Sequence, residues 1–407
     1  MIHLKRWKKI KTLLFAVMMI SVLLYGCADL KTAAPAASSN AAAEEAQSTQ
    51  GIITITPALT TDAQTATPRT TPDVETVTPK IDESVPYDIE YIYTRELITS
   101  YYHLYGNVLD DFAEVYLTNN SKQNSSFLVE TVIDGYSSVS SDTVEVAPGE
   151  RKEIRQNPRL IPESMERLNA QRYANFVIRV KLLKEGEDEL LLSESKEILL
   201  YSRRDYTWVD GFDLQGNRDF LAAYVTPNDP AVEELLRRAA NYTKSGQIWS
   251  TYGDHINDEG GGVWDRLQAI WQAENEYKLT YVSTWVSLTP EASQRMRLPY
   301  EVLEQAGGNC IELVFLYAAA VEAMDLECSI VLIPGHAYLA VRTDTQNANY
   351  YFIETTLIGQ TDFDDAVASG DSRWKKDKPM LDEKDESYGW VNIEDAREKG
   401  ILPVPWR

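Results

Sequence analysis

The sequence predicts a multidomain chain, an all-β antiparallel sandwich followed by a body of mixed helices and strands, and three observations predict it. Between Ile89 and Ser202, short alternating or β-branched runs recur at close intervals, separated by Asn-Asn-Ser, Pro-Gly-Glu and Glu-Gly turns. After Trp208 the texture changes to apolar residues at helical spacing. The stretch GGNCIELVFLYAAAVEAM, Gly307 to Met324, then delivers a cysteine onto the first turn of a long apolar helix, and strand-like CSIVLIPG and AYLAVRT follow it.

Composition narrows the function classes. A chain of 407 residues has room for two domains and a tether, and 44% hydrophobic residues exclude disorder of the whole. The formal charge is −23, from 39 basic and 62 acidic side chains. No basic stripe follows the first residues, so nucleic acid is not an expected partner. Three cysteines, Cys27, Cys310 and Cys328, are too few for a disulfide framework and are read singly.

Lys5, Arg6, Lys8, Lys9 and Lys11 precede an almost wholly apolar run from Thr12 to Tyr25. A basic start and a short apolar run read as a secretory signal, with an uncleaved anchor helix as the alternative. The segment closes on Leu24-Tyr25-Gly26-Cys27, which resembles the bacterial lipobox, although Tyr25 is larger than the residue usually found there. That resemblance implies a signal peptide over 1–26, lipidation of Cys27, and a body anchored at the extracytoplasmic face of a bacterial cell membrane. Residues 27–85 are Ala, Thr, Ser, Pro and Gln with scattered acids. They cannot bury enough apolar area to offset ordering entropy, so a flexible linker is expected.

Residues 86–205 carry the strand runs: IEYIYT from Ile89, FAEVYLTNNS from Phe112, SFLVETVIDGYS from Ser126, TVEVAPGE from Thr143, ANFVIRVKLL from Ala174 and LLLSESKEILLYS from Leu190. The pieces TNNS and VAPGE, each between strand pairs, look like bacterial immunoglobulin-like domains. No catalytic residue types collect here. His103, among Tyr101, Tyr102 and Tyr105, reads as an aromatic edge packed on the next domain.

Residues 206–407 open with PNDPAVEELLRRAANYT, in which Asn228 or Asp229 caps a helix begun by Pro230. A second helix is expected from Val263 to Tyr277, with Trp264, Leu267, Ile270 and Trp271 on one face. Between them, Asp254, His255, Asp258 and Glu259 match no metal-ligand spacing and read as a surface loop. No metal or other cofactor is expected.

From Ile311 to Met324 nearly every residue is apolar apart from Glu312 and Glu322, so the helix must be surrounded by protein. Its N-terminus alone needs an opening, and a thiol there meets unsatisfied N–H groups and a positive dipole end that favour the thiolate. A bridge from Cys310 to Cys328 is disfavoured. The helix rises about 21 Å, four steps back recover about 14 Å, and the remaining gap of about 7 Å exceeds the roughly 4.4–6.8 Å of a disulfide. His336 is the single histidine that follows. The run from His336 and the run NYYFIETT flank the polar turn TDTQNAN, which predicts a hairpin. With the turn centred near Thr345, His336 falls opposite Glu354, and a two-residue shift keeps both on one face.

From Leu279 onward the chain resembles the transglutaminase-like branch of the papain-like cysteine peptidase superfamily. The features are Arg297-Leu298-Pro299, the Gly-x-Cys helix start, the small-residue-rich helix and Gly335-His336-Ala337 opening a strand. The resemblance implies an α+β fold with the cysteine helix central on an antiparallel sheet. It implies Cys310 as nucleophile, His336 as base and Glu354 as the orienting carboxylate, acting without a cofactor on a protein or peptide substrate of the cell envelope. The family's third residue is more often Asp, in an Asp-Pro-Thr setting, so Glu354 is a departure. Oxyanion stabilisation would fall to the Cys310 backbone N–H, with Gln294 and Trp285 as side-chain candidates, Gln294 expected at the surface and Trp285 in the core. A second class stays open: an inactive module of this type kept for binding or envelope assembly. Downstream, TDFDDAVASG is expected as a short helix, Trp374 to Gly389 as a charged loop, and Asn392 as the cap of a last helix stopped by Gly400.

Overall fold

The computed structural model describes residues 86–208, 218–252, 262–282, 293–346 and 349–405. The leader, Cys27, the linker, the loop carrying Asp254, His255, Asp258 and Glu259, and Trp285 all lie outside these residues.

The described chain opens on β1 (Tyr87–Tyr93), β2 (Glu96–Leu97), β3 (Ala113–Asn119), β4 (Ser125–Ile133), β5 (Ser140–Val146), β6 (Arg151–Gln156), a short α1 (Pro162–Glu166), β7 (Arg172–Leu182) and β8 (Glu189–Leu200). These strands form a three-stranded sheet of order β1-β3-β6 and a five-stranded sheet of order β2-β8-β7-β4-β5, antiparallel except for β2 beside β8. Burial alternates residue by residue along β3 and β4. The inward sets, including Tyr91, Phe112, Val115, Phe127, Phe176 and Ile178, share one core. Each such apolar side chain contributes about 1.5–3 kcal/mol by leaving water. Arg151–Gln156, a charged run that sequence periodicity passed over, is a strand because Ile154 and Gln156 face that core.

A 3-10 turn, Thr99–Leu104, carries the aromatic run onto the rest of the chain. Tyr101 stacks on Phe220 at 5.1 Å, and His103 Nε2 lies 2.9 Å from the Leu402 carbonyl. The core of the remaining chain therefore includes Ile98, Tyr101, Leu104 and Leu109.

That remainder comprises β9 (Asp205–Thr207), α2 (Pro230–Ala239), α3 (Val263–Glu276), β10 (Thr280–Tyr281), β11 (Ser293–Arg295), α4 (Pro299–Glu304), β12 (Gly307–Gly308), α5 (Cys310–Ala323), β13 (Cys328–Ile333), β14 (His336–Arg342), β15 (Tyr350–Ile353), α6 (Phe363–Asp382), β16 (Gly389–Asn392) and α7 (Ile393–Glu398). Asp229 caps α2 by accepting from Ala231 N, with Pro230 at its start. The central sheet has the order β15-β14-β13-β16 and is antiparallel throughout. On one face Ile330, Leu332, Ala337, Leu339, Val341 and Ile353 join the core that encloses α5. The other face carries Val331, Tyr338, Ala340 and Phe352, covered by Trp374 and Leu381 of α6.

Helix α5 is buried along nearly its whole length. Its two acids are matched: Glu312 with Arg297 at 2.9 Å, Glu322 with Arg397 at 2.8 Å. Cys328 is buried at the start of β13, and both it and Cys310 are free thiols.

Two expectations are corrected. Trp374 to Asp382 is not a loop; it continues the helix begun at Phe363, so α6 is one element of 20 residues. Most of its charges lie on the solvated side, Asp377 being buried and Arg373 turned inward to Glu354, while Trp374 stacks on Phe352 at 4.4 Å. Close approach of α6 depends on Gly370, where a Cβ would sit 2.2 Å from the Phe352 carbonyl oxygen. The strand expected through Thr356 ends at Ile353, because Thr355–Leu357 turn into a 3-10 helix capped by the Glu354 carboxylate.

Candidate active site

The cysteine is delivered by a backbone built for close approach. Gly307 and Gly308 run parallel to Thr280 and Tyr281, and a Cβ on Gly307 would lie 2.9 Å from the Thr280 carbonyl oxygen. Asn309 then caps α5. Its side chain accepts from Glu312 N at 3.1 Å, and Glu312 returns the bond to Asn309 N at 2.9 Å, a reciprocal capping box. Cys310 is the first helical residue, half-buried at an otherwise enclosed N-terminus. First-turn N–H groups have no intrahelical acceptor, so the thiol sits in a locally positive field.

His336 opens β14 just after the turn at Gly335. Its Nε2 donates to Glu354 Oε2 at 2.8 Å, and Cys310 is its other side-chain hydrogen-bonding neighbour. Burial opposes a charged ring here, but the bonds to Cys310 and Glu354 outweigh it and raise the His336 pKa to about 9. The imidazolium is therefore the dominant form at neutral pH.

Glu354 is almost wholly buried, which by itself would raise its pKa; the bond from His336, followed by Thr356 and Arg373, lowers it instead. Its Oε1 accepts from Thr356 Oγ1 at 2.6 Å, and its Oε2 also accepts from Arg373 Nε at 3.0 Å. The register explains how it reaches the ring. Leu339 pairs with Ile353, so the ladder is offset from the expected one and Glu354 follows on beside Tyr338. The contact to His336 is diagonal, a span that long side chains cover.

Gln294 departs from expectation. It is buried rather than at the surface, on β11 paired with β9, and its Oε1 accepts from Trp208 Nε1 at 2.9 Å. Sequence reasoning missed Arg373, which falls between the short helix expected over 361–370 and the loop expected from Trp374; the buried helix phase of Phe363, Ala366, Val367 and Gly370 was the available signal. Among the described residues, no group of three or more His, Cys, Asp and Glu could hold a metal ion, and no helix is long and apolar enough to cross a membrane.

A helix-end thiol, an imidazole and a buried carboxylate thus stand in series, the arrangement used for nucleophilic acyl transfer. No protein-family model matches the chain, and no curated protein matches it. Among solved structures, it is similar to a candidate cysteine protease from Cytophaga hutchinsonii, at 12% identity and a TM-score of 0.22, over 60% of this chain and 74% of that one. A FixG-related protein from Vibrio parahaemolyticus matches at 15% identity and a TM-score of 0.17, over 29% of this chain and 98% of its own.

Proposed function

We propose that the protein is a cysteine-dependent amide or peptide bond hydrolase or acyltransferase of transglutaminase-like type. In this reading an immunoglobulin-like sandwich separates the catalytic residues from a lipidated Cys27, which holds the body at the extracytoplasmic face of a bacterial membrane. The observation that carries it is the imidazole of His336, bonded to Glu354 at 2.8 Å on one nitrogen and neighboured by the Cys310 thiol.

In the first half-reaction Cys310 Sγ forms a bond to the substrate carbonyl carbon. The oxyanion is met by first-turn N–H groups of α5. The C–N bond then breaks as His336 passes its proton to the departing amine, leaving a thioester on Cys310. In the second, water or an amine attacks the thioester and gives its proton to His336, the C–S bond breaks, and the Cys310 thiolate leaves, restoring the starting pair with the imidazolium. Glu354 keeps the imidazole in one tautomer and supports its charge.

Turnover of a peptide library by the full-length protein, followed by mass spectrometry, tests this. New fragments or amine exchange should appear with the wild type and vanish in Cys310→Ala. Unchanged products from Cys310→Ala overturn the reading, and a peptide bound but never converted favours the inactive binding module.

A further inference from the structure

Two charged residues outside this set converge on the imidazole from a single helix. Arg373 and Asp377 stand four residues apart on α6, and therefore on one face. Arg373 Nε donates to Glu354 Oε2 at 3.0 Å, the same oxygen that takes His336 Nε2 at 2.8 Å. Asp377 Oδ2 accepts from Tyr338 OH at 3.2 Å. The Tyr338 ring in turn lies nearly parallel to the imidazole, 26° between planes with centroids 6.5 Å apart. One arm of α6 thus governs the edge of the His336 ring and the other its face. The helix backbone is fastened at the same place, since Glu354 N donates to Ala366 O at 3.1 Å.

We propose that α6 is an alignment helix, in which Arg373 fixes the Glu354 carboxylate and Asp377 fixes the Tyr338 ring, both acting as positioning residues for His336. The inference rests on Cys310, His336 and Glu354 being the catalytic set. A glutamate has one more torsion than an aspartate, so its carboxylate holds an imidazole only if something else stops the arm from swinging. Thr356 holds Oε1, and Arg373 holds Oε2.

The groups that face His336 come from every packed element: Cys310 on α5 and Glu354 beyond β15, which raise its pKa, Tyr338 on its own strand, and Asp377 on α6. Arg373 faces Glu354, Tyr338 and Asp377, and Lys376 lies near Asp377.

The test is the titration of His336, followed by NMR of the full-length chain labelled with 13C-histidine, with His336→Gln assigning the resonance among four histidines. The wild-type midpoint should lie near 9. Arg373→Gln should lower it by about one unit or more, because the Glu354 bond is loosened, while Arg373→Lys keeps it. Acting merely as a nearby cation, Arg373 would raise the midpoint when removed, so a rise or no change overturns the proposal. For the second arm, Asp377→Asn keeps an acceptor for Tyr338 and should retain the midpoint, whereas Asp377→Leu should lower it. Equal shifts for Asn and Leu would mark a charge effect and overturn that arm. Should Arg373→Gln fail to fold, loss of the raised midpoint in a folded Arg373→Lys overturns the proposal equally. An ordinary wild-type midpoint near 6.5 would instead sink the catalytic geometry itself, so the two failures are told apart.

Discussion

Glu354 does not stand opposite His336 on the neighbouring strand; it follows Ile353, which pairs with Leu339, and reaches the imidazole diagonally to close at 2.8 Å. Across that offset it is the long arm of the glutamate that reaches the ring. The carboxylate is held by Thr356 and Arg373 as well, so the site is a braced structure.

The first prediction concerns pH. The His336 pKa is raised to about 9, so the proton needed by a departing amine is present at neutrality and lost as pH rises through about 9. Turnover should fall on that limb. Stability follows the same sign: the raised histidine contributes on the order of 3 kcal/mol below its unfolded value of about 6.5, and that is lost as pH rises through about 9. Glu354, being lowered, contributes above the unfolded carboxylate value and loses its contribution as pH falls through its folded one. Denaturant midpoints across pH 3–10 should therefore drop at both ends in wild type, with the basic drop reduced in His336→Gln.

Glu354→Gln keeps the size of the side chain and removes its charge. Turnover should fall by about 10²–10⁴-fold, with the fold intact by circular dichroism. A loss under about tenfold would mean that Glu354 serves only packing.

Gly370→Ala puts a methyl group into the Phe352 backbone carbonyl. Helix α6 must then move off β15, and the expected loss is at least about 2–3 kcal/mol in urea unfolding. The change should also impair turnover, because Glu354 N bonds to the first turn of the same helix. Unaltered stability would show that α6 adapts without cost.

How much of this was legible follows from which signals were local. The α5 helix, its N-terminal cysteine, β13 and β14 are written in dense apolar runs that allow one phase only. The meeting of His336 with Glu354 needed only same-face parity, which survives a two-residue slip, whereas the register itself depended on a turn that sequence could not centre. Helix α6 was obscured because most of its charges lie on the solvent side and Pro379 lies within it. Gln294 was misread because a polar side chain gives no hint of a distant indole; its burial depends on Trp208, 86 residues away in sequence. Strand β16 is short and is a strand only by pairing with β13.

Glu274 offers a check on the packing around α5. It is fully buried on α3, its Oε1 has no hydrogen-bond partner among the described residues, and burial pushes its pKa well above the carboxylate range. A raised carboxylate costs stability once the unfolded chain ionises, so Glu274→Met should stabilise the protein by about 1–3 kcal/mol at pH 7. Near pH 4 the gain should shrink, since the acid is then largely protonated in both states. A destabilised variant at pH 7 would mean the carboxyl group is needed where it stands.

The central claim, that His336 activates Cys310, is tested most directly by covalent labelling of the full-length chain. A peptide electrophile and iodoacetamide are each applied near pH 7, and peptide mass mapping separates Cys310 from Cys27 and Cys328. The account predicts that Cys310 reacts with the peptide electrophile at least about 100-fold faster in wild type than in His336→Ala, while Cys328, buried in the core, stays unmodified. Equal labelling of Cys310 with and without the imidazole would contradict it.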